Sequence, residues 1–385
     1  MPGFEVIGKE EMDQIAQIFK NGGVLFRQGF DNLRNNCFKV KEFETAFAKE
    51  KSSQYSLAVS SGTAALRVAL ASINIEEGDE VITQSFTFVA TVEAIVEARA
   101  KPIICNIDET LNMDPIELRK CINEKTKAII AVHMLGVPAR IKEIKKICDE
   151  KNIHLIEDTA WGCGGNLDGK KLGTFGSIGT YSFDFAKTMT TGEGGMLVFR
   201  DKGIFEKASA WHDHGHQNNP NVPRWEDTRD TSGFNFRMTE LQGAVGIAQL
   251  KKLNGVIHQQ RLNKQMIKKE LEELDNIKFR ELPEGSFETA DALIFFTKNK
   301  SIAIKCRNIL VENGLNTKIL PEAYTWHFAA TWEHIKEIPE NNPNYKKYLE
   351  PSEKLLSRAV SIPISINMNK DNPKKIKKLL KSVLS

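Results

Sequence analysis

Between residues 55 and 160, short apolar runs alternate with stretches whose apolar positions recur every three or four residues. Ser56 to Val59, Val81 to Thr83, Pro102 to Ile107, Ala128 to His133 and His154 to Ile156 have the length and β-branched content of strands. Ala64 to Ser72, Thr87 to Arg99 and Ile141 to Lys151 have helical spacing. Strands apolar on both faces and separated by helices predict a mostly parallel sheet covered on both sides. Ahead of it, Glu10 to Lys20 and the Val40, Phe43, Phe47 repeat read as helices, with the polar segment Phe26 to Cys37 as a connecting arm. After it, Tyr181 to Val198 reads as strand, tight polar turn and strand. Met238 to Leu253 and Ile257 to Leu274 read as two helices. Lys278 to Leu282, Ala292 to Lys298 and the helix Ala303 to Asn313 suggest a smaller α+β unit. The expected organisation is α/β in three parts: an N-terminal helix and arm (1–36), a large domain (37–255) and a small C-terminal domain with a bridging helix (256–385).

Composition narrows the function classes. A chain of 385 residues, 41% hydrophobic and 27% charged, has an ordinary globular balance. A net charge of +3 makes no case for nucleic-acid binding. The basic stretch Lys370 to Lys381 reads as the solvated face of an amphipathic helix. Six scattered cysteines without a CxxC pair read as reduced thiols. With no signal peptide and no apolar run of membrane-span length, a cytoplasmic protein without membrane or nucleic-acid partners is expected.

Ligands of parallel sheets collect at the carboxyl ends of strands. Four polar clusters fall at such run ends: Ser60 to Thr63, Gln84 to Phe88, Asp158 to Trp161 and Ser182 to Lys187. Lys187 is a lone lysine between two hydrophobic strands; unless it is an exposed loop residue, it must pair, lose its proton or bond covalently. Ser60-Ser61-Gly62-Thr63 before a helix offers amides and hydroxyls to a phosphate, or is a plain N-cap. Asp158 ends an apolar strand, where a carboxylate wants a cation, either a ligand's or an arginine's. Phe88 could be core, or could lie flat against an aromatic ligand. A lysine, a carboxylate, a phosphate cradle and an aromatic face together describe a pyridoxal phosphate site. The dinucleotide, P-loop and nucleophile-elbow motifs are absent. His212, His214 and His216 invite a metal, but Asp213 and Gly215 favour a turn and no second ligand cluster accompanies them, so no metal is expected.

SFDFAKTMTTGEGG, SSGTAAL, GDEVITQSFTFVAT, EDTAWG and GFNFRMTELQGAVGIAQL resemble signatures of the DegT/DnrJ/EryC1/StrS sugar aminotransferases, fold-type-I pyridoxal phosphate enzymes. By that resemblance Lys187 would hold the cofactor as a Schiff base and then shuttle the substrate proton. Asp158 would keep the pyridine nitrogen protonated. Gly62, Thr63 and Ser182 would hold the phosphate, and Phe88 would stack on the ring. Trp161 stands where the family often has Gln or His against the ring hydroxyl; its indole can donate but not accept. Asn235 matches an asparagine that reaches the neighbouring subunit's phosphate, which implies a homodimer with shared active sites. An amino-acid donor, with glutamate expected, would leave pyridoxamine phosphate, and a keto sugar would then take the amine. A branch with histidine in place of the lysine removes a hydroxyl, and Lys187 argues against it. A sugar dehydratase and a non-enzymatic sensor on the same fold are the alternatives.

MPGFE, WHDHGH (Trp211 to His216) and TWHF…TWEHI (Thr325 to Ile335) further resemble a branch that aminates an 8-keto octulosonate, a sugar acid of cell-surface polysaccharide or lipopolysaccharide. That resemblance implies His214, His216 and His327 in the substrate pocket, unless they only shape the loop. Arg237 would meet the substrate carboxylate.

Overall fold

The computed structural model describes residues 2–219, 221–322 and 324–384. Met1 of the opening MPGFE, Pro220 in the loop after His216, Ala323 before Tyr324, and Ser385 lie outside the described residues. The first five strands are β1 (Tyr55–Val59), β2 (Glu80–Gln84), β3 (Lys101–Cys105), β4 (Thr126–Val132) and β5 (His154–Asp158). A short hairpin, β6 (Asn166–Leu167) and β7 (Lys170–Lys171), leads to β8 (Ile178–Ser182) and β9 (Gly195–Phe199). Seven of these form one sheet in the order β1-β9-β8-β5-β4-β2-β3, and only β9 runs against its neighbours.

Period two along the strands divides the core between the two faces. Leu57, Val81, Ile130, Ile156 and Leu197 pack with Ala64, Ala65, Val68 and Ala69 of the helix Gly62–Ser72. Ile82, Ile129 and Leu155 pack with Ile144, Ile147 and Cys148 of the helix Ile141–Lys151. Each such fully buried aliphatic side chain contributes roughly 1.5–3 kcal/mol, which holds the carboxyl ends of the strands rigid.

The C-terminal portion adds β10 (Lys278–Phe279), β11 (Ser286–Phe287), β12 (Ala292–Phe296) and β13 (Ala359–Pro363). β10, β12 and β13 form an antiparallel sheet, while β11 joins the β6/β7 hairpin. The helix Asn372–Leu384 buries Ile376, Leu380 and Leu384 in the core of the antiparallel sheet. Among the described residues no helix is long and apolar enough to cross a membrane.

Two local expectations change. The two helices read at Met238 to Leu253 and Ile257 to Leu274 are one: a single helix runs from Glu240 to Leu271, across the boundary expected at 255. A mid-helix glycine costs about 1 kcal/mol, which burial of Leu253, Val256 and Ile257 on either side outweighs. The arm is also more than a connector. Arg34 is 1% exposed, pairs with Glu240 at 2.9 Å, and donates to the carbonyls of Phe26 and Cys37. It fastens the arm to the first turn of the long helix.

Candidate active site

β5 and β8 are neighbours in the sheet, so Asp158 and Ser182 emerge at the same edge. The loop after β8 is an Asx turn: Asp184 N donates to Ser182 Oγ (3.3 Å), Ala186 N to Asp184 Oδ1 (2.9 Å) and Lys187 N to Asp184 O (3.0 Å). The turn delivers the partly buried Lys187, whose Nζ lies 3.4 Å from the centroid of the Trp161 ring. Burial pushes the Lys187 amine down to about 8; the charge of Lys318 adds to that effect, while Asp158, Asp184 and Asp291 oppose it.

Asp158 is buried. Its Oδ1 accepts from Ala160 N and its Oδ2 from Thr91 Oγ1, each at 3.1 Å. Burial raises its pKa, against those two hydrogen bonds and the field of Lys187. Thr91 lies in the helix Val89–Glu97, for which Phe88 is the residue before the first turn. Phe88 is 43% exposed and its ring stands 5.6 Å from that of His327. Two backbone bonds join this segment to the His327 loop: Thr87 N to His327 O and Ala329 N to Ser85 O, both 2.9 Å.

The turn Ser61-Gly62-Thr63 opens the helix Gly62–Ser72, with Ser61 Oγ accepting from Ala64 N (3.0 Å). A Cβ on Gly62 would sit 2.7 Å from Ser182 Cβ, so only glycine lets the helix N-terminus come this close to the Ser182 hydroxyl. An amide-rich helix start beside a serine hydroxyl and an exposed threonine, Thr63, suits a phosphate monoester. The reactive amine of Lys187 and the buried carboxylate of Asp158 share this edge. The donor set fits pyridoxal phosphate.

The remaining expected residues form a second cluster. Asn235 is exposed and bridges to Asp213 through the backbone. Arg237 is turned to buried Asp213, which Arg224 also pairs with, so it faces a carboxylate of its own chain. These two arginines hold the Asp213 carboxyl well below its usual range against the effect of burial. His216 is buried between Asp227 Oδ2 (3.1 Å) and Arg229 Nη2 (3.0 Å). His214 is exposed in left-handed conformation at φ 55. Of the four expected substrate residues, His327 is placed beside Phe88, and His214, His216 and Arg237 belong to the Asp213 cluster.

His212 in that cluster is buried, with Nδ1 donating to Ser209 O (2.5 Å) and Nε2 accepting from Arg27 Nη1 (3.0 Å). Burial first, and the Arg27 charge next, push its pKa from 6.5 down to about 3. Below pH 6.5 the unfolded chain therefore takes up a proton that the folded protein refuses. Stability should fall as pH drops from 6.5 toward 3, by up to about 4 kcal/mol from this residue. Urea midpoints across that range should decline more steeply for the native protein than for His212→Gln; parallel declines would contradict this.

Sequence reading missed three neighbours of the site. His133 Nδ1 accepts from Ala139 N (3.0 Å), which leaves its Nε2–H to donate to Glu157 Oε2 (3.0 Å). Glu157 also accepts from the amides of Gly173, Phe175 and Gly176 at 2.6–2.9 Å, fixing the backbone beside Asp158. Lys318, the third, sits 4.6 Å from the Trp161 ring. The register pairing Val132 with Asp158 was a usable signal for His133; Lys318 has none in its own segment.

Residues 9–381 match the model of the DegT/DnrJ/EryC1/StrS aminotransferase family. A GDP-perosamine synthase of Escherichia coli O157:H7 is 33% identical over 325 residues, 84% of each chain. An aminotransferase from Psychrobacter cryohalolentis superposes with TM-score 0.83 at 25% identity, covering 98% of this chain and 97% of that one. A GDP-4-keto-6-deoxymannose-3-dehydratase with a trapped PLP-glutamate geminal diamine shares the fold, with TM-score 0.84 at 24% identity over 97% of this chain and 98% of that one. The chain belongs to the DegT/DnrJ/EryC1/StrS aminotransferase family and is a pyridoxal 5′-phosphate-dependent sugar aminotransferase.

Proposed function

We propose that this aminotransferase moves an amino group from glutamate to a keto sugar acid, an 8-keto octulosonate, in the making of a cell-surface polysaccharide or lipopolysaccharide. The observation that carries the reading of the site is the partly buried Lys187 amine beside buried Asp158, with the Gly62–Ser182 contact forming a phosphate cradle at the same edge. Pyridoxal phosphate supplies the electron sink for a proton leaving Cα. Lys187 is the base that takes that proton and returns it. Asp158 would hold a proton on the ring nitrogen, and such a cation would bring its raised pKa back down. Gly62, Thr63 and Ser182 would receive the phosphate and Phe88 would cover a ring face, while Trp161 lies against the Lys187 amine.

The choice of sugar rests on the segment Thr325 to Ile335. It is tied by backbone to the Phe88 loop and presents His327 beside that ring. A panel of keto sugars, nucleotide-linked and free, should show turnover of the free octulosonate alone. Turnover of a nucleotide-linked sugar instead would redirect the substrate assignment, and a product that has lost water in place of gaining nitrogen would favour a dehydratase. Six free cysteines suit a cytoplasmic setting.

We read the Asp213 cluster as the part each chain lends to a partner in a homodimer. Around it lie exposed Phe30, Trp225 and Phe234, and a groove of about 1690 Å³ between the arm, the helix Lys39–Lys51 and residues 218–219 and 222–227. Large aromatic side chains left exposed beside such a groove suit a subunit interface. If Asn235 serves the partner's phosphate, mixing inactive Lys187→Ala and Asn235→Ala proteins under exchange should restore about a quarter of native activity, since half the dimers then carry one intact site of two. No recovery, with exchange demonstrated by mass, would show that Asn235 does not serve the partner's site.

A further inference from the structure

Two lysines meet at one indole. Lys187 Nζ lies 3.4 Å from the Trp161 centroid and Lys318 Nζ 4.6 Å from it, so each stands in the other's field. Lys318 donates to both oxygens of Asp291, at 2.7 Å each, and that carboxylate is 2% exposed. Two residues before Asp291, Thr289 Oγ1 donates to the Trp161 carbonyl (3.2 Å), so the indole and the Lys318 anchor hang on one short segment. The acids facing Lys187 are engaged elsewhere: Asp291 by Lys318, Asp158 by Thr91 and Ala160, Asp184 by Ala186. Among the described residues Lys187 has no carboxylate as an ion-pair partner. The indole face attracts ammonium groups but offers no lone pair to accept from Lys187.

We propose that Lys318 is a positioning residue of this site: anchored on Asp291 beside Trp161, its ammonium disfavours a second positive charge on Lys187 and so raises the share of that amine present as the free base its work requires. This rests on reading Lys187 as the residue that bonds the cofactor and moves the substrate proton. A neighbouring cation is one of the general ways a catalytic lysine is activated. Lys318's charge is the second cause, after burial, of the lowered Lys187 pKa. Among the described residues the charged side chains that bear most on Lys187 are the cation Lys318 and, opposing it, Asp158, Asp184 and Asp291.

The test uses full-length protein freed of cofactor, acetylated with acetic anhydride over pH 6–10, with labelling at Lys187 read by mass spectrometry and exposed Lys202 as internal standard. The native protein and Lys318→Arg should share one low midpoint. Lys318→Met should raise it by about a unit, slowing Lys187 labelling near neutral pH roughly tenfold. Asp291→Asn, which keeps the cation and removes its acid, should leave the midpoint unchanged or lower it. Where Lys318→Met does not fold, the double variant Lys318→Met/Asp291→Asn, which leaves no orphan carboxylate, should still titrate above native. In the holoenzymes the acid limb of the kcat/KM profile should move with the same order. An unmoved midpoint in a folded Lys318→Met or double variant overturns the proposal. Failure of the underlying reading looks different: borohydride reduction of native holoenzyme would then leave no cofactor mass on Lys187.

Discussion

Lys187→Ala should lower transamination by ~10³-fold or more while the protein keeps its fold. The side chain is only partly buried, packs on an indole and makes no ion pair among the described residues, so its removal leaves no buried charge unpaired. The turn that carries it is held by main-chain and Asp184 bonds that alanine retains. What alanine lacks is the amine, to which the proposed function assigns both the covalent attachment of the cofactor and the base that moves the Cα proton. Circular dichroism should match native, the visible cofactor band should be lost or shifted, and no product should form. Transamination at the native rate would show that the base lies elsewhere.

Asp158→Asn should cost ~10²–10³-fold in kcat with a smaller change in cofactor affinity. Asparagine is nearly isosteric, its oxygen can still accept from Ala160 N, and its amide can face the Thr91 hydroxyl. The buried position therefore tolerates it, even with relief, since burial alone penalises the carboxylate. The charge is what is lost. A neutral amide cannot hold a proton on a ring nitrogen, so the electron sink weakens at the chemical step. If kcat were unchanged and only affinity fell, Asp158 would be an anchor for the cofactor and nothing more.

The four clusters read at run ends were legible because a parallel sheet converts sequence position into place: a polar residue just past an apolar strand emerges at the carboxyl edge. Lys187, Asp158, Gly62 and Ser182 all follow that rule. Charge pairs between distant segments do not. Arg34 read only as part of a polar connecting arm because its partner, Glu240, lies in a helix that starts far along the chain, and Lys318 is intelligible only with Asp291 and Trp161 beside it. Arg237, read as meeting a substrate carboxylate, pairs with Asp213 of its own chain, a partner its own segment does not disclose. The separation read between Leu253 and Ile257 failed for another reason, because burial on both flanks carries one helix through Gly255. Strand–helix alternation and edge chemistry were readable one segment at a time, whereas the supports of the site were written in pairs.

The central claim is that this chain carries an amine from an amino acid to a keto sugar through Lys187. Its most direct test is the half-reaction: purified holoenzyme mixed with glutamate in the absence of any sugar, followed by absorbance. The visible cofactor band should bleach as 2-oxoglutarate accumulates in step, and addition of the keto sugar should restore the band while the sugar gains nitrogen. A band that no amino acid bleaches, or a sugar product that has lost water and gained no nitrogen, would contradict the account.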